Sequence, residues 1–491
     1  MFDMTYKEYM GDVFGMEFNG QSLPDYISVL EVTGRSLSPN EIKTMTVSCM
    51  DGTYIQGKRK PGVPLKVKIM MRLESSEDLR EAIDELNEFF DTEEEAPIIF
   101  SDEPNKMYYG MMSDISEGIE VEGTHIVTIT FYRSDPYKYG PEESMEFQSD
   151  ADTVTNQGKA TAFPVFELEV HEPTTFAMIQ NQRQEYMMIG TPADDDVEVI
   201  SGKNLVLTEN GSTLDTWDTN GTEIDNFIGN IAGSMRHDGT GILAESYGTG
   251  EKMHGPAVIK EISPIQDFEI ETTFDIISNY EEDNYRMEVY MFDEGMNMLG
   301  KMGINDNNRN LWRRLGLGRV GGYAGPSERY AINGDNYKRD DLGEVALMYL
   351  RVKREGKKFT FYIAEIRNGR HYATIEESIN VSNEYLGKLK YVQLFIGNWQ
   401  DRDRTFRTRI NYVHVYKLQE LTVDQRRYIA YPGDIITFGH KNEEILINGE
   451  DRSDLKDFGG TFFHLYRGEN QLLMHPPNTF FGRVHYNPRF S

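Results

Sequence analysis

The chain has 491 residues, enough for roughly three domains of about 100–200 residues each, and 38% of them are hydrophobic, enough to bury real cores. Its formal charge of −31 is spread along the chain and excludes a basic groove for phosphates, so neither stable nucleic-acid binding nor adhesion to an anionic membrane is expected, and DNA passing nearby would be repelled rather than held. Cys49 is the single cysteine, which excludes an intrachain disulfide and a cysteine-built zinc site, and no segment reads as a signal peptide or a transmembrane helix.

In chain order, short runs of β-branched and aromatic residues between Gly, Asn and Asp turns predict a mainly β protein. One helix interrupts them: Leu79, Ile83, Leu86 and Phe90 recur at helical spacing, with Ser75 as N-cap and Asp78 three residues on. Asp91, Glu93, Glu94 and Glu95 follow as a solvated loop, and Pro97 ends helical continuation before a strand at 98–100. Ser134-Asp135-Pro136-Tyr137 closes this first unit, placed at residues 1–140.

Strands resume at 163–170, 176–180 and 185–189, and a polar, Gly-rich stretch over 210–250 opens something new. Beyond it the strands lengthen. Phe268, Ile270, Thr272, Phe274 and Ile276 alternate with Glu269, Glu271, Thr273 and Asp275, giving one apolar and one acidic face. The runs 350–352 and 359–363 flank Arg354-Glu355-Gly356-Lys357 as a hairpin, and 390–396 and 410–418 complete a pattern best buried as a two-sheet jelly roll. After Thr422 the strands shorten again, at 434–438, 444–447 and 480–486, as the return half of the domain begun near Phe163. The expected units are therefore 1–140, 141–206, an insertion at 207–419, and 420–491.

Phe18-Asn19-Gly20 before a strand, Met50-Asp51-Gly52-Thr53-Tyr54 after one, a helix over 79–90 and Asp135-Pro136-Tyr137 at the close form an order that resembles the N-terminal domain of siphophage distal tail proteins, a β-sandwich with one packed helix. Residues 160–170, the Tyr431-Pro432-Gly433-Asp434 turn and Phe463-His464-Leu465-Tyr466-Arg467-Gly468-Glu469-Asn470 look like that family's galectin-like C-terminal β-sandwich. The 207–419 stretch departs from the minimal family pattern, splits the galectin-like domain, and looks like an inserted concanavalin-like carbohydrate-binding module. The resemblance implies a structural subunit of the virion tail tip, without catalytic residues, metal or cofactor. It implies a homohexameric ring joining the major tail tube protein to a tail-associated hub or lysin protein, with the module turned toward host cell-wall glycan. Several weak sugar sites on one ring would then act by avidity.

The residues that carry chemistry are few. Trp399 with Asn398, Asp401 and Arg402 offers an aromatic face for a pyranose and planar polar groups for its hydroxyls; Trp312 with Asn310, Arg313, Arg314 and the nearby Tyr323 offers a second set. Each tryptophan equally suits an edge of the sandwich, and Trp217 reads as a packed linker residue. Glu269 and Glu271, two apart on one strand, lie about 6–7 Å apart, near glycosidase separations, but a third carboxylate is missing and a solvated acidic face is the simpler account. The rival function is accordingly a concanavalin-like glycoside hydrolase or a free-standing lectin. Gly316-Leu317-Gly318-Arg319-Val320-Gly321 matches a dinucleotide fingerprint in letters, yet lacks the flanking strand and helix and reads as a flexible turn. His237, His254, His371 and His414 show no metal spacing, and Asp306-Asn307-Asn308 leaves calcium open.

Overall fold

The computed structural model describes residues 14–49, 51–194, 197–222, 224–225, 229–278, 283–308, 313–323, 329–338, 345–399, 407–422 and 425–491. Strands dominate it, and the 15-residue helix Ser76–Phe90 is capped by Ser75, whose hydroxyl accepts the Asp78 N–H at 3.1 Å. Leu79, Ala82, Leu86 and Phe90 form the helix's buried stripe and press it onto a nine-stranded sheet, where Phe18, Phe90 and Phe131 meet edge to face or tilted. The last strand of the chain, Arg489–Phe490, pairs with Lys138–Tyr139 in that same sheet, tying the C-terminal end to the N-terminal unit.

One hairpin stands apart. Glu41–Met45 and Tyr54–Arg59 pair only with each other, and every residue in both strands is exposed.

Six- and four-stranded sheets pack over a shared core that includes Phe166, Ile179, Phe438, Leu465 and Val484. Both draw strands from each side of a long intervening stretch: Val165–Val170 lies between Ile435–Gly439 and Phe480–Tyr486, and Phe176–Asn181 pairs with Gly468–His475. The chain leaves and re-enters this sandwich through a neck of two parallel strands, Glu198–Ile200 and Gln425–Arg427.

Between the neck strands, two eight-stranded sheets sandwich the largest core, with Phe268, Phe274, Met287, Val289, Phe359, Leu394 and Val413 fully buried. The hairpin Val345–Glu355 and Lys358–Arg367 turns through Gly356 and Lys357 as its sequence indicates. Two local expectations are corrected here. Gly316 to Val320 is no flexible turn; it lies inside strand Arg313–Val320, where a Cβ on Gly318 would sit 2.7 Å from the Phe361 ring, so glycine permits close sheet packing. Trp217 belongs to the sandwich core, its indole N–H donating to Glu209 at 2.8 Å.

Candidate functional site

Each sheet of the inserted sandwich turns one face to the core and one outward, and the two outward faces differ. On the first sheet, Phe268–Ile277 points Glu269, Glu271, Thr273 and Asp275 away from the core, as the alternation requires. This face is not solvated: Glu269 is buried where the C-terminal sandwich lies against the sheet, while Thr273 and Asp275 are buried under Asn411, Arg407 and Arg409 of the neighbouring strand. Arg351 clamps Glu450 through two bonds of 2.7 and 2.9 Å, Arg370 reaches Glu444 at 2.8 Å, and the His371 N–H donates to the Gly449 carbonyl. A cavity of about 760 Å³ remains at this junction, lined by Glu269, Glu271, Tyr349, Tyr412, Tyr416 and Tyr431 among others.

Glu271 does not fit the general-acid half of a glycosidase pair. Glu269 accepts from Lys203 at 2.9 Å. Glu271 accepts from Tyr416 at 2.9 Å, Tyr349 at 3.0 Å and His414 at 3.3 Å. Burial alone would raise the Glu271 carboxyl, but the His414 bond, the Lys203 charge and the two tyrosine hydroxyls outweigh it and hold the group at about 2. A carboxyl so strongly ionised has no proton to donate to a leaving group near neutral pH.

The second sheet carries the more unusual face. Along Tyr285–Asp293, Met287, Val289 and Met291 enter the core while Arg286, Glu288, Tyr290 and Phe292 turn outward. There Glu288 accepts from Lys301, Arg286 and Tyr290, each at 2.6 Å. Asp225 binds Lys301 at 2.5 Å and takes Arg319 in a fork of 2.7 and 2.9 Å. All six side chains are 2% exposed or less. Burial would raise the Glu288 carboxyl, but Arg286 and Lys301 hold it at about 2; burial pulls the Lys301 ammonium down, while carboxylates on two sides keep it charged. The strands meet closely here: a Cβ on Gly303 would lie 2.8 Å from the Glu288 side chain.

At one end of this cluster opens a recess of about 140 Å³, lined by Met253, Asn284, Arg286, Glu288, Asn305, Asn307, Leu317 and Trp399. Trp399 ends strand Leu389–Trp399 opposite Met253 and forms part of the recess wall. Asn398 falls on the inward side with Ile396 and accepts the Trp399 N–H at 2.7 Å, so it shapes the strand end. Arg313 and Arg314 begin their strand at this same end, the latter buried beside Tyr285. Tyr323 does not join them: it follows Val320, which pairs with Gly300 at the far end of the sheet, and its ring faces Arg319. Trp312, Asn310, Asp401 and Arg402 lie outside the described residues.

Asp306, which left calcium open, spends its oxygens on the backbone N–H groups of Asn308 and Arg313 at 2.9 and 2.7 Å, and burial pushes its carboxyl up to about 7. Among the described residues no group of three or more His, Cys, Asp or Glu could hold a metal ion, and no helix is long and apolar enough to cross a membrane. Sequence reasoning passed over Arg286, Glu288 and Asn305. The signal was present, since Arg286-Met287-Glu288-Val289-Tyr290 alternates charge with hydrophobe as plainly as the 268–277 strand does.

The family model described as phage tail protein RIFT-related domain matches residues 18–132. The distal tail protein of Bacillus phage SPP1 is 36% identical over 186 residues, which span 38% of this chain and 70% of that protein. Its solved structure matches with a TM-score of 0.34 at 32% identity, over 37% of this chain and 75% of that one. The CBM2 module of the evolved Dit of Lactobacillus casei BL23 phage J-1 matches with a TM-score of 0.39 at 12% identity, over 45% of this chain and all of that one.

Proposed function

The chain belongs to the phage distal tail protein family, and so to the tail tip of the virion, and from that premise we propose how it works there. Residues of about 1–140 assemble a homohexameric ring that joins the major tail tube protein to a tail-associated hub or lysin protein, while the 207–419 insertion holds host cell-wall carbohydrate. The observation that carries the hub reading is the 36% identity spanning 70% of the SPP1 distal tail protein. No catalytic role is assigned, and no reducing-sugar release is expected.

The solitary hairpin supports assembly. A two-stranded hairpin is marginal alone in water, yet this one exposes Ile42, Met45, Tyr54 and Ile55 beside Lys43, Lys58 and Arg59. Apolar residues ringed by cations suit docking onto a neighbouring copy of a chain whose net charge is −31. Light scattering on the purified protein is expected to give six times the 56.5 kDa chain, with rings by negative-stain microscopy. The double variant Ile42→Lys/Ile55→Lys is expected to run as a monomer; hexamers that survive it would remove the hairpin from the interface, and a monomeric parent at every concentration, with or without the tail tube protein, would sink the ring.

The glycan reading rests on the recess beside Trp399, which an indole, amide groups and a guanidinium line together. Trp399→Ala is expected to weaken sedimentation with purified bacterial cell walls about tenfold, roughly 1.4 kcal/mol. Unchanged binding would move the site elsewhere.

A further inference from the structure

The recess beside Trp399 is small and two-natured. At about 140 Å³ it holds the equivalent of four to five waters of roughly 30 Å³ each. That is room for a small substituent such as an acetamido group. Met253, Leu317 and the Trp399 indole line it with apolar surface, while Arg286 and Asn305 line it with planar polar groups. The last two are direct partners across neighbouring strands and point to the same side of the sheet. Arg286 is 2% exposed and Asn305 8%, yet among the described residues the Arg286 Nη1 donor and the Asn305 Oδ1 acceptor have no hydrogen-bond partner. Leaving a buried donor and acceptor unmatched is unfavourable, so the pair favours a ligand that supplies both halves.

We propose that this recess receives the acetamido group of a 2-acetamido-2-deoxy sugar, a proposal that rests on the insertion being a glycan-binding module. The acetamido carbonyl accepts from Arg286, its N–H donates to Asn305, and its methyl fills the space between Met253, Leu317 and Trp399. A hydroxyl in its place could meet the polar pair but would leave the apolar wall wet. An ammonium, as in a deacetylated amino sugar, meets the Arg286 cation and finds both Glu288 oxygens already taken by Lys301, Arg286 and Tyr290. The recess therefore separates the three substituents by both size and chemistry.

The test is calorimetric titration of the full chain with tetra-N-acetylchitotetraose, cellotetraose and fully deacetylated chitotetraose, beside sedimentation with purified bacterial cell walls. The acetylated tetramer is expected to bind at least tenfold more tightly than the other two. Leu317→Trp, which fills the recess from its apolar side, and Asn305→Leu, which removes the acceptor at similar volume, are each expected to erase that preference while the far-UV circular dichroism and the thermal unfolding midpoint stay unchanged. Equal affinity for cellotetraose, or no response to the acetylated tetramer, overturns the proposal. If the protein then still sediments with cell walls, the glycan-binding reading survives and only the acetamido site falls; if it sediments with none, both fall.

Discussion

Glu288→Ala is expected to destabilise the inserted sandwich by about 3–5 kcal/mol, the cost of stranding buried charge. The carboxylate is wholly buried and satisfies Lys301, Arg286 and the Tyr290 hydroxyl at once, so its removal takes Arg286 and Tyr290 from their acceptor and leaves Lys301 with Asp225 alone. The same argument predicts that the triple variant Arg286→Met/Glu288→Leu/Lys301→Met loses much less, because the charges left behind, Asp225 and Arg319, still pair through two bonds and Met298, Phe292 and Phe395 already supply an apolar surround. The two variants compared by hydrogen exchange of the Tyr285–Asp293 amides separate these cases. A loss below about 1 kcal/mol for Glu288→Ala would mean that the cluster is hydrated, since a solvated ion pair is worth no more than that. This matters for function, because Arg286 and Glu288 are shared between the cluster and the recess: the same salt bridges that burden the fold hold the guanidinium where a ligand would meet it.

What the sequence reveals here is whatever depends on neighbours in the chain. The helix over Ser76–Phe90 with its Ser75 cap, the Gly356-Lys357 hairpin and the apolar face of Phe268–Ile277 are all local, set by periodicity and turn chemistry, and all are found where the pattern puts them. The errors share the opposite cause. The acidic face of 268–277 reads as solvated because the partners that cover it, around Glu450 and Arg409, are far away in sequence. Gly318 reads as part of a turn because its reason for being small, the Phe361 ring, comes from a strand of the opposite sheet. Trp217 reads as linker because its partner Glu209 and its core neighbours mean nothing until the sandwich closes. The recess is a further instance: Met253, Arg286, Asn305, Leu317 and Trp399 come from five strands, and of them only the tryptophan announces binding chemistry in the sequence.

Glu271 gives the second large effect, and its sign follows from linkage. The folded protein holds this carboxyl at about 2 against 4.5 when unfolded, so between those values the unfolded chain binds more protons and stability rises with pH. The group's contribution, about 3 kcal/mol by the 1.36 kcal/mol carried per pH unit, is complete above pH 5 and is lost as pH falls from 4.5 toward 2. Because the side chain is only 15% exposed, solvent screening removes little of it. Glu271→Gln keeps the shape but not the charge, and Lys203, Tyr349 and Tyr416 then face a weaker acceptor. Hydrogen exchange on the Phe268–Ile277 strand, followed from pH 7 to pH 3, is expected to show the variant less stable at neutral pH and the gap closing below pH 4. A gap that stays constant across that range would mean that Glu271 acts by shape alone. A closing gap would place an ionised, fully bonded carboxylate at the junction between insertion and C-terminal sandwich, and acid would then loosen the contact between the two sandwiches.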